Sequence, residues 1–294
     1  MISVVIPSYN RAKTIKQSAE SVLHQTFKDL ELIIVDDCSS DNTKDIVAEL
    51  MISDSRVRYV CHEKNKGACA ARNTGIDASR GQYIAFQDSD DAWRPEKLER
   101  QIDIMKKYDA DICYCKVQRH NYPASISSIY PIQPEGIIDY NILISKSHAS
   151  TQTILAKSEV LREHKFDINI KQCQDLDWCI RAGRNNVVAF ANEVLVDIYL
   201  QGDSISTLQA HQKIMISYET LLKKYEDIAN EYPSFHLKLL NMIGKQRALT
   251  GDKSGLEYKI AYKITGNKKY ILKQVAYRMG VLKVGYEIRE RIKK

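Results

Sequence analysis

Asp88, Asp90 and Asp91 lie within four residues of one another. Three carboxylates this close repel each other unless positive charge sits among them. A hard divalent cation takes oxygen ligands of this kind, and Mg²⁺ keeps waters and shares its remaining sites with phosphates. The same residues could equally serve as an Asx turn and a helix cap. Two further polar clusters add chemistry that a turn does not need. Pro7-Ser8-Tyr9-Asn10-Arg11 offers an aromatic face, and Asp36-Asp37 a pair of carboxylates. A ring can stack on a base, a carboxylate can accept from a base N–H or a ribose hydroxyl, and a metal can bridge phosphates. Together these parts suit a nucleoside diphosphate. In Gly67-Ala68-Cys69-Ala70-Ala71-Arg72-Asn73-Thr74-Gly75, small residues allow close approach of a helix to a ligand. Arg72 adds a fork of donors, with a surface ion pair as its alternative role.

Each acidic or aromatic cluster ends a short apolar run. Ile2–Ile6 stops at Pro7, Glu31–Val35 runs into Asp36, and Tyr83–Phe86 runs into Asp88, with Pro95 in the first turn of the helix beyond. Val57–Val60, Asp111–Val117, Thr151–Ala156, Val187–Phe190 and Val194–Leu200 read as further strands. Helical faces fall between them: Ile15, Ala19, Val22 and Leu23; then Ile46, Val47, Leu50 and Met51 behind a cap at Asp41 or Asn42; then Leu98, Ile102 and Met105 within Glu96–Tyr108. This alternation predicts βαβ units and a parallel sheet covered on both faces, with ligands beyond the carboxyl ends of the strands. Pro123, Pro131 and Pro134 interrupt residues 118–150. Gln174–Ala182 reads as a helix. Beyond Ser204 the pattern is helical, over Ile214–Ala229, Phe235–Leu249, Leu256–Ile264 and Tyr270–Met279.

Four stretches carry a resemblance. Val5-Ile6-Pro7-Ser8-Tyr9-Asn10, Val35-Asp36-Asp37-Cys38-Ser39-Ser40-Asp41, Ala71-Arg72-Asn73-Thr74-Gly75 and Phe86-Gln87-Asp88-Ser89-Asp90-Asp91 resemble family 2 glycosyltransferases in motif, order and spacing. The likeness covers residues 1–206, with 1–117 as the nucleotide-sugar half, 118–206 as the acceptor half, and 207–294 left as a basic helical region. It implies an α/β GT-A fold, a nucleoside diphosphate-sugar donor, UDP-sugar first, a divalent Mn²⁺ or Mg²⁺, and inversion at the anomeric carbon. It also implies roles. Tyr9 and Asp37 meet the base, Pro7 and Arg72 line its pocket, Asp88 and Ser89 belong to the nucleotide-sugar site, and Asp90 binds the metal. Gln172-Cys173-Gln174-Asp175-Leu176-Asp177-Trp178 is similar to the family's acidic pair, which places Asp175 as the catalytic base and puts Gln174 where a Glu is usual. The other role open to Asp175 is to favour a helix N-terminus through the dipole. Many relatives carry a His before the stretch matched by Ser204-Ile205-Ser206; this chain has none there, and the resemblance leaves Gln201, Asp203 and water open as substitutes.

Sugar nucleotidyl transfer is a competing activity, but it calls for a Gly-rich basic loop after the first strand, and Pro7–Arg11 has no glycine. A nucleotide-sugar binder without catalysis is the second alternative, and retention of both Asp90 and Asp175 speaks against it. The net charge of +6 divides unevenly. Residues 210–294 hold 18 Lys and Arg against 8 Asp and Glu. Lys259, Lys263, Lys268, Lys269, Lys273, Arg278 and Lys283 alternate there with Tyr258, Tyr262, Tyr270, Tyr277 and Tyr286. Such helices suit an anionic membrane surface, where lipid-linked glycan acceptors reside, or a bundle or dimer interface with solvated lysines. No nucleic-acid motif accompanies the charge. No apolar run is long enough to span a membrane, and the first strand begins at Ile2, so a cytoplasmic protein is expected, peripheral at the inner membrane face if the tail binds lipid. The seven cysteines are expected to be reduced and mostly buried, with Cys113 and Cys115 not a zinc site.

Overall fold

The computed structural model describes residues 1–121, 126–146, 149–200, 208–251, 254–279 and 282. Strand β1 (Ile2–Ser8) is buried along its whole length, as a central parallel strand must be. Helix α1 (Ile15–Leu23) buries Ile15, Ala19, Val22 and Leu23, the face read from its spacing. After β2 (Leu30–Asp36) comes α2 (Thr43–Ser53), in which Val47 and Leu50 are buried but Met51 is exposed. Asp41, rather than Asn42, secures its start: one carboxylate oxygen accepts from the Thr43 N–H at 3.1 Å. Strand β3 (Val57–Cys61), helix α3 (Ala68–Ala78) and β4 (Tyr83–Phe86) complete the first half.

A two-residue strand β5 (Ala92–Trp93) precedes α4 (Lys97–Tyr108), then β6 (Ile112–Asn121), β7 (Ile126–Tyr130), β8 (Gly136–Ile137) and α5 (Tyr140–Ser145). Thr151–Ala156 is only partly a strand. Thr151–Thr153 forms a 3₁₀ turn, and β9 (Leu155–Lys157) follows it. The turn is held because polar groups there have distant partners: the Gln152 carbonyl accepts from Trp93 Nε1 and the Thr153 carbonyl from Gln101 Nε2. Helices α6 (Ser158–Glu163) and α7 (Gln174–Gly183) lead to β10 (Val188–Leu200). β10 joins the two expected strands Val187–Phe190 and Val194–Leu200 across an irregularity between Ala191 and Val196.

The strands form one sheet in the order β3-β2-β1-β4-β9-β6-β10-β5, with β7 on β6 and β8 on β10. It is mixed rather than wholly parallel. β3, β2, β1 and β4 run parallel, as do β6 and β10, but β9 is inserted antiparallel between β4 and β6. One core lies on each face of the sheet, the first under α1, α2 and α4, the second under α3, α6 and α7. Gly75 is needed for the second: a Cβ there would stand 2.2 Å from Val5 Cγ1, so α3 packs directly on β1.

The remaining helices are α8 (Leu208–Lys224), α9 (Glu226–Glu231), α10 (Pro233–Thr250), α11 (Leu256–Thr265) and α12 (Lys269–Arg278). The expected helix Ile214–Ala229 is thus two, broken at Tyr225. Tyr218, Leu221, Ile228, Phe235 and Leu239 form a shared core with Ile144, Ile170 and Ile180 of the sheet domain. Tyr258, Tyr270 and Tyr277 are buried in a small core of their own, so these rings are not presented to a surface. Lys283 and Tyr286 lie outside the described residues, as do Gln201, Asp203 and the Ser204–Ser206 stretch. All seven cysteines are free thiols; Cys69, Cys113, Cys115 and Cys179 are buried, while Cys61 is exposed. Among the described residues no helix is long and apolar enough to cross a membrane.

Candidate active site

The carboxyl ends of β1, β2 and β4 open into one cleft of about 440 Å³. Pro7, Tyr9, Asp37, Arg72, Asp88, Ser89 and Asp90 all line it, so every residue expected at the donor end is brought together. The loops that carry them are tied to one another. Asn10, at φ 53°, accepts from the Ser40 N–H at 2.8 Å and donates its own N–H to Ser39 Oγ at 2.8 Å. Thr43 Oγ1 and Asp41 accept the N–H groups of Arg11 and Ala12. The β1 loop is therefore stitched to the β2 loop, and Tyr9 is left with 47% of its surface free at the cleft. That is the state a stacking ring requires.

Asp37 is buried and already engaged. Its oxygens accept from the Lys66 and Gly67 N–H groups at 2.8 and 2.6 Å, and from His62 Nδ1 at 2.7 Å, since a carboxylate only accepts. His62 is held on its other side, with Nε2 2.9 Å from Thr74 Oγ1. Asp37 thus sets the path of the loop over the cleft and keeps about one of its four lone-pair sites for a ligand. Gly67 sits at φ 89°, where a side chain would be strained, at the point where that loop enters α3. His62 and Asn65 carry no motif in the sequence; only their approach to Asp37 and to the cleft reveals them.

The Asp88–Asp91 turn is held from α1. Ser18 Oγ lies 2.6 Å from the carbonyl oxygens of both Asp88 and Asp91. The three carboxylates point to different partners. Asp88 accepts from Arg72 Nη2 at 2.9 Å, and Asp90 stands 3.3 Å from Arg11 Nη2. Asp91 turns inward, accepting from Gln152 Nε2 and the Tyr199 N–H. Burial, and then the charges of Asp88 and Asp90, push the Asp91 carboxyl up to about 8. Burial likewise raises Asp90; Arg11 opposes this and Asp88 adds to it. The turn is therefore short of positive charge even with two arginines beside it. Asp90 is the carboxylate that is both open to the cleft and raised, which fits a hard cation. Among the described residues no three His, Cys, Asp or Glu side chains gather into a closed metal cage. A cation held at Asp90 would therefore need ligand oxygens to complete its shell.

Arg72 links this end to α7. The guanidinium is buried, bonds Asp88 with one nitrogen and Gln174 Oε1 with the other at 3.2 Å, and lies 5.6 Å from the centre of the Phe166 ring. The Gln in place of Glu leaves the Arg72 contact intact but removes a charge from it. Asp175 is the next residue. α7 begins abruptly after Cys173, held at φ 60°, and Asp175 Oδ1 accepts from the Leu176 N–H at 2.8 Å. Burial raises the Asp175 carboxyl, while the Leu176 N–H, Lys238 and Arg72 pull it down. It faces a second cavity of about 280 Å³, whose lining includes Arg119, Tyr130, Tyr218 and Lys238. Tyr218 and Lys238 come from α8 and α10, helices whose pattern signals only a basic bundle.

Asp177, two residues on, has a structural role. It is 1% exposed and accepts from Lys224 Nζ and Tyr225 OH, each at 2.7 Å, and from Arg181 at 2.9 Å. This carboxylate ties α7 to α8. Lys97 is a further residue the sequence did not mark. It is fully buried beneath Trp93, 3.8 Å from the ring centre, and bonds Gln101 Oε1 at 2.7 Å.

The cleft lies at the carboxyl ends of parallel strands, and Arg72 joins it to Gln174, the residue before Asp175, an arrangement in keeping with the family resemblance carried by the sequence. Residues 3–164 match the family model described as glycosyl transferase family 2. The chain is 36% identical over 189 residues to the Escherichia coli protein WfgD, named UDP-Glc:alpha-D-GlcNAc-diphosphoundecaprenol beta-1,3-glucosyltransferase; the match covers 64% of this chain and 72% of WfgD. It is 31% identical over 208 residues to TuaG of Bacillus subtilis (strain 168), provisionally named a teichuronic acid biosynthesis glycosyltransferase, covering 70% of this chain and 82% of TuaG. Among solved structures, S. aureus TarS 1-349 in complex with UDP-GlcNAc superposes with a TM-score of 0.65 at 17% identity, covering 97% of this chain and 91% of that one. The chain belongs to glycosyl transferase family 2 and is a glycosyltransferase with a GT-A-like fold.

Proposed function

We propose that the protein transfers a sugar, with inversion, from a UDP-sugar to an acceptor hydroxyl during assembly of a bacterial surface polysaccharide. The observation that carries this reading is Arg72, whose guanidinium spans from Asp88 in the donor cleft to Gln174 beside Asp175. A side chain bonded to both the donor cleft and the residue before Asp175 supports a donor site and a base that adjoin one another, as a direct displacement needs. Tyr9 stacks on the base, while Asp37 and the loop it holds accept from it or its ribose. Arg11 and Arg72 are positioned to meet charge that develops on the diphosphate. Asp175 takes the proton of the acceptor hydroxyl as that oxygen attacks the anomeric carbon. No second carboxylate is needed as a nucleophile. Mn²⁺ or Mg²⁺ held by Asp90, with Asp88 beside it, would supply Lewis-acid stabilisation of the diphosphate.

The names of WfgD and of the TarS complex support a UDP-linked donor, and WfgD supports a lipid-linked acceptor. Such an acceptor places the enzyme at the cytoplasmic face of the membrane, where basic α11 and α12 would face anionic lipid. Exposed Leu272 and Val275, rather than the buried tyrosines, would make that contact.

UDP with Mn²⁺ should stabilise the protein. At about 100 times Kd the gain is about 2.7 kcal/mol, which corresponds to about 5 °C in melting temperature for a chain of this size. If no nucleoside diphosphate moves the melting point, the donor assignment fails.

A further inference from the structure

Three donors meet the carboxylate of Asp37, and they differ in what holds them. The Lys66 N–H and His62 Nδ1 reach Oδ1 at 2.8 and 2.7 Å, and the Gly67 N–H reaches Oδ2 at 2.6 Å. Among the described residues Oδ1 is therefore fully used, and Oδ2 keeps one lone pair. The last torsion of an aspartate is broad, so the chain itself does not fix the plane of the carboxylate. These bonds fix it. Lys66 and Gly67 belong to the loop over the cleft, and that loop is itself held by Asp37. His62 is anchored independently of it. It directly follows β3, its N–H donates to the Asp36 carbonyl at 2.9 Å, and its Nε2 lies 2.9 Å from Thr74 Oγ1 on α3. The residue is 6% exposed, so water competes little for either ring nitrogen. His62 thus carries the position of the sheet and of α3 to a carboxylate that lines the cleft.

We propose that His62 is a positioning residue for nucleotide recognition: by occupying Oδ1 of Asp37 it aims the one open lone pair of Oδ2 at a ring N–H of the base. The inference rests on the UDP-sugar reading and adds the residue that makes the pocket discriminate between bases. Uracil presents N3–H in the plane of its ring. Cytosine presents a lone pair at N3, which a carboxylate repels, and its amine lies to one side. A carboxylate free to turn could reach that amine instead. One pinned by His62 cannot, so the choice between the two bases follows from the pin.

The full chain with Mn²⁺ is titrated calorimetrically with UDP and with CDP, as wild type, His62→Leu, His62→Asn and Thr74→Val. The wild type should bind UDP at least about tenfold more tightly than CDP, the worth of a hydrogen bond to a charged group. His62→Leu removes both ring nitrogens and should lose at least about tenfold for UDP but less than about threefold for CDP. His62→Asn sets an amide N–H where Nδ1 stood and should recover most of the UDP affinity. Thr74→Val keeps its shape and frees the ring; it should weaken UDP by about threefold with CDP unchanged, and it keeps the test open if His62→Leu does not fold. Equal losses for UDP and CDP in His62→Leu would make His62 a prop of the fold and overturn the proposal. UDP affinity equal to wild type in both His62→Leu and Thr74→Val would overturn it too, as would a wild type that binds the two nucleotides alike. If UDP binds the wild type and these substitutions are silent, this inference alone falls. If UDP binds none of the four proteins, the UDP-sugar reading falls and this inference with it.

Discussion

Asp175→Asn and Asp177→Asn, two residues apart on one helix, should fail in opposite ways. Asp175 is half-buried and makes one local hydrogen bond, to the Leu176 N–H, which an Asn oxygen can also accept. Its replacement should leave the melting temperature within about 2 °C and donor binding unchanged, because among the described residues its carboxylate bonds only the neighbouring Leu176 N–H. As the base it contributes about 10² to 10⁴ in rate, so transfer should fall at least a hundredfold. Asp177 has a buried carboxylate that accepts from Lys224 and Tyr225 at one oxygen and Arg181 at the other. An Asn has a single acceptor oxygen and turns an NH₂ toward one of these donors. Breaking a buried pair costs about 3–5 kcal/mol. Lys224 and Arg181 are 30% and 24% exposed, so water covers part of the loss and the lower end, about 3 kcal/mol, applies. At about 2 °C per kcal/mol the variant should melt about 6 °C lower. Release of nucleoside diphosphate and a thermal melt, run on both variants, separate the two roles. Transfer by Asp175→Asn within about threefold of wild type would refute its role as base, and an unchanged melting point for Asp177→Asn would refute the tie between α7 and α8.

Chelation should abolish transfer and Mn²⁺ or Mg²⁺ should restore it, with Asp90→Asn equally inactive but folded; full activity in EDTA would remove the metal. Because burial raises the Asp175 carboxyl, transfer should fall on acidification at a pH above that of an exposed aspartate, as read from a pH–rate profile, and a limb at the ordinary carboxylate pKa would contradict this. Burial lowers Lys97 to about 8, so between about pH 8 and its ordinary value near 10.5 the unfolded chain binds the proton and the folded one does not. Stability of the wild type relative to Lys97→Met should therefore rise over that window in denaturant melts at pH 7.5, 9 and 10; a flat difference would show that Lys97 is not buried in its charged form.

The residues that line the cleft were legible because they are local. All but Arg72, which sits on α3, follow the end of a strand in a polar turn, and β1, β2 and β4 are neighbours in the sheet. Pro7, Tyr9, Asp37, Arg72, Asp88, Ser89 and Asp90 then converge without further information. What Asp37 does was not legible. Its partners His62, Lys66 and Gly67 stand 25 to 30 residues away, and only the path of that loop aims their N–H groups at it. The antiparallel insertion of β9 was missed for the same reason: three residues carry too little periodicity to state a direction, and pairing with β4 and β6 decides it.

The sequence by itself determined the family, the α/β alternation and the acidic cluster, since these depend on residue type and spacing along the chain. Only the tertiary structure decided how the two halves meet. Asp175 and Asp177 look alike as sequence, yet one faces a cavity and the other is locked among Lys224, Tyr225 and Arg181. The basic tail read as charge alone, yet α10 delivers Lys238 to the cavity beside Asp175. The physical reason is that burial and the sign of the nearest charge are properties of packing between distant segments, and no local pattern encodes them.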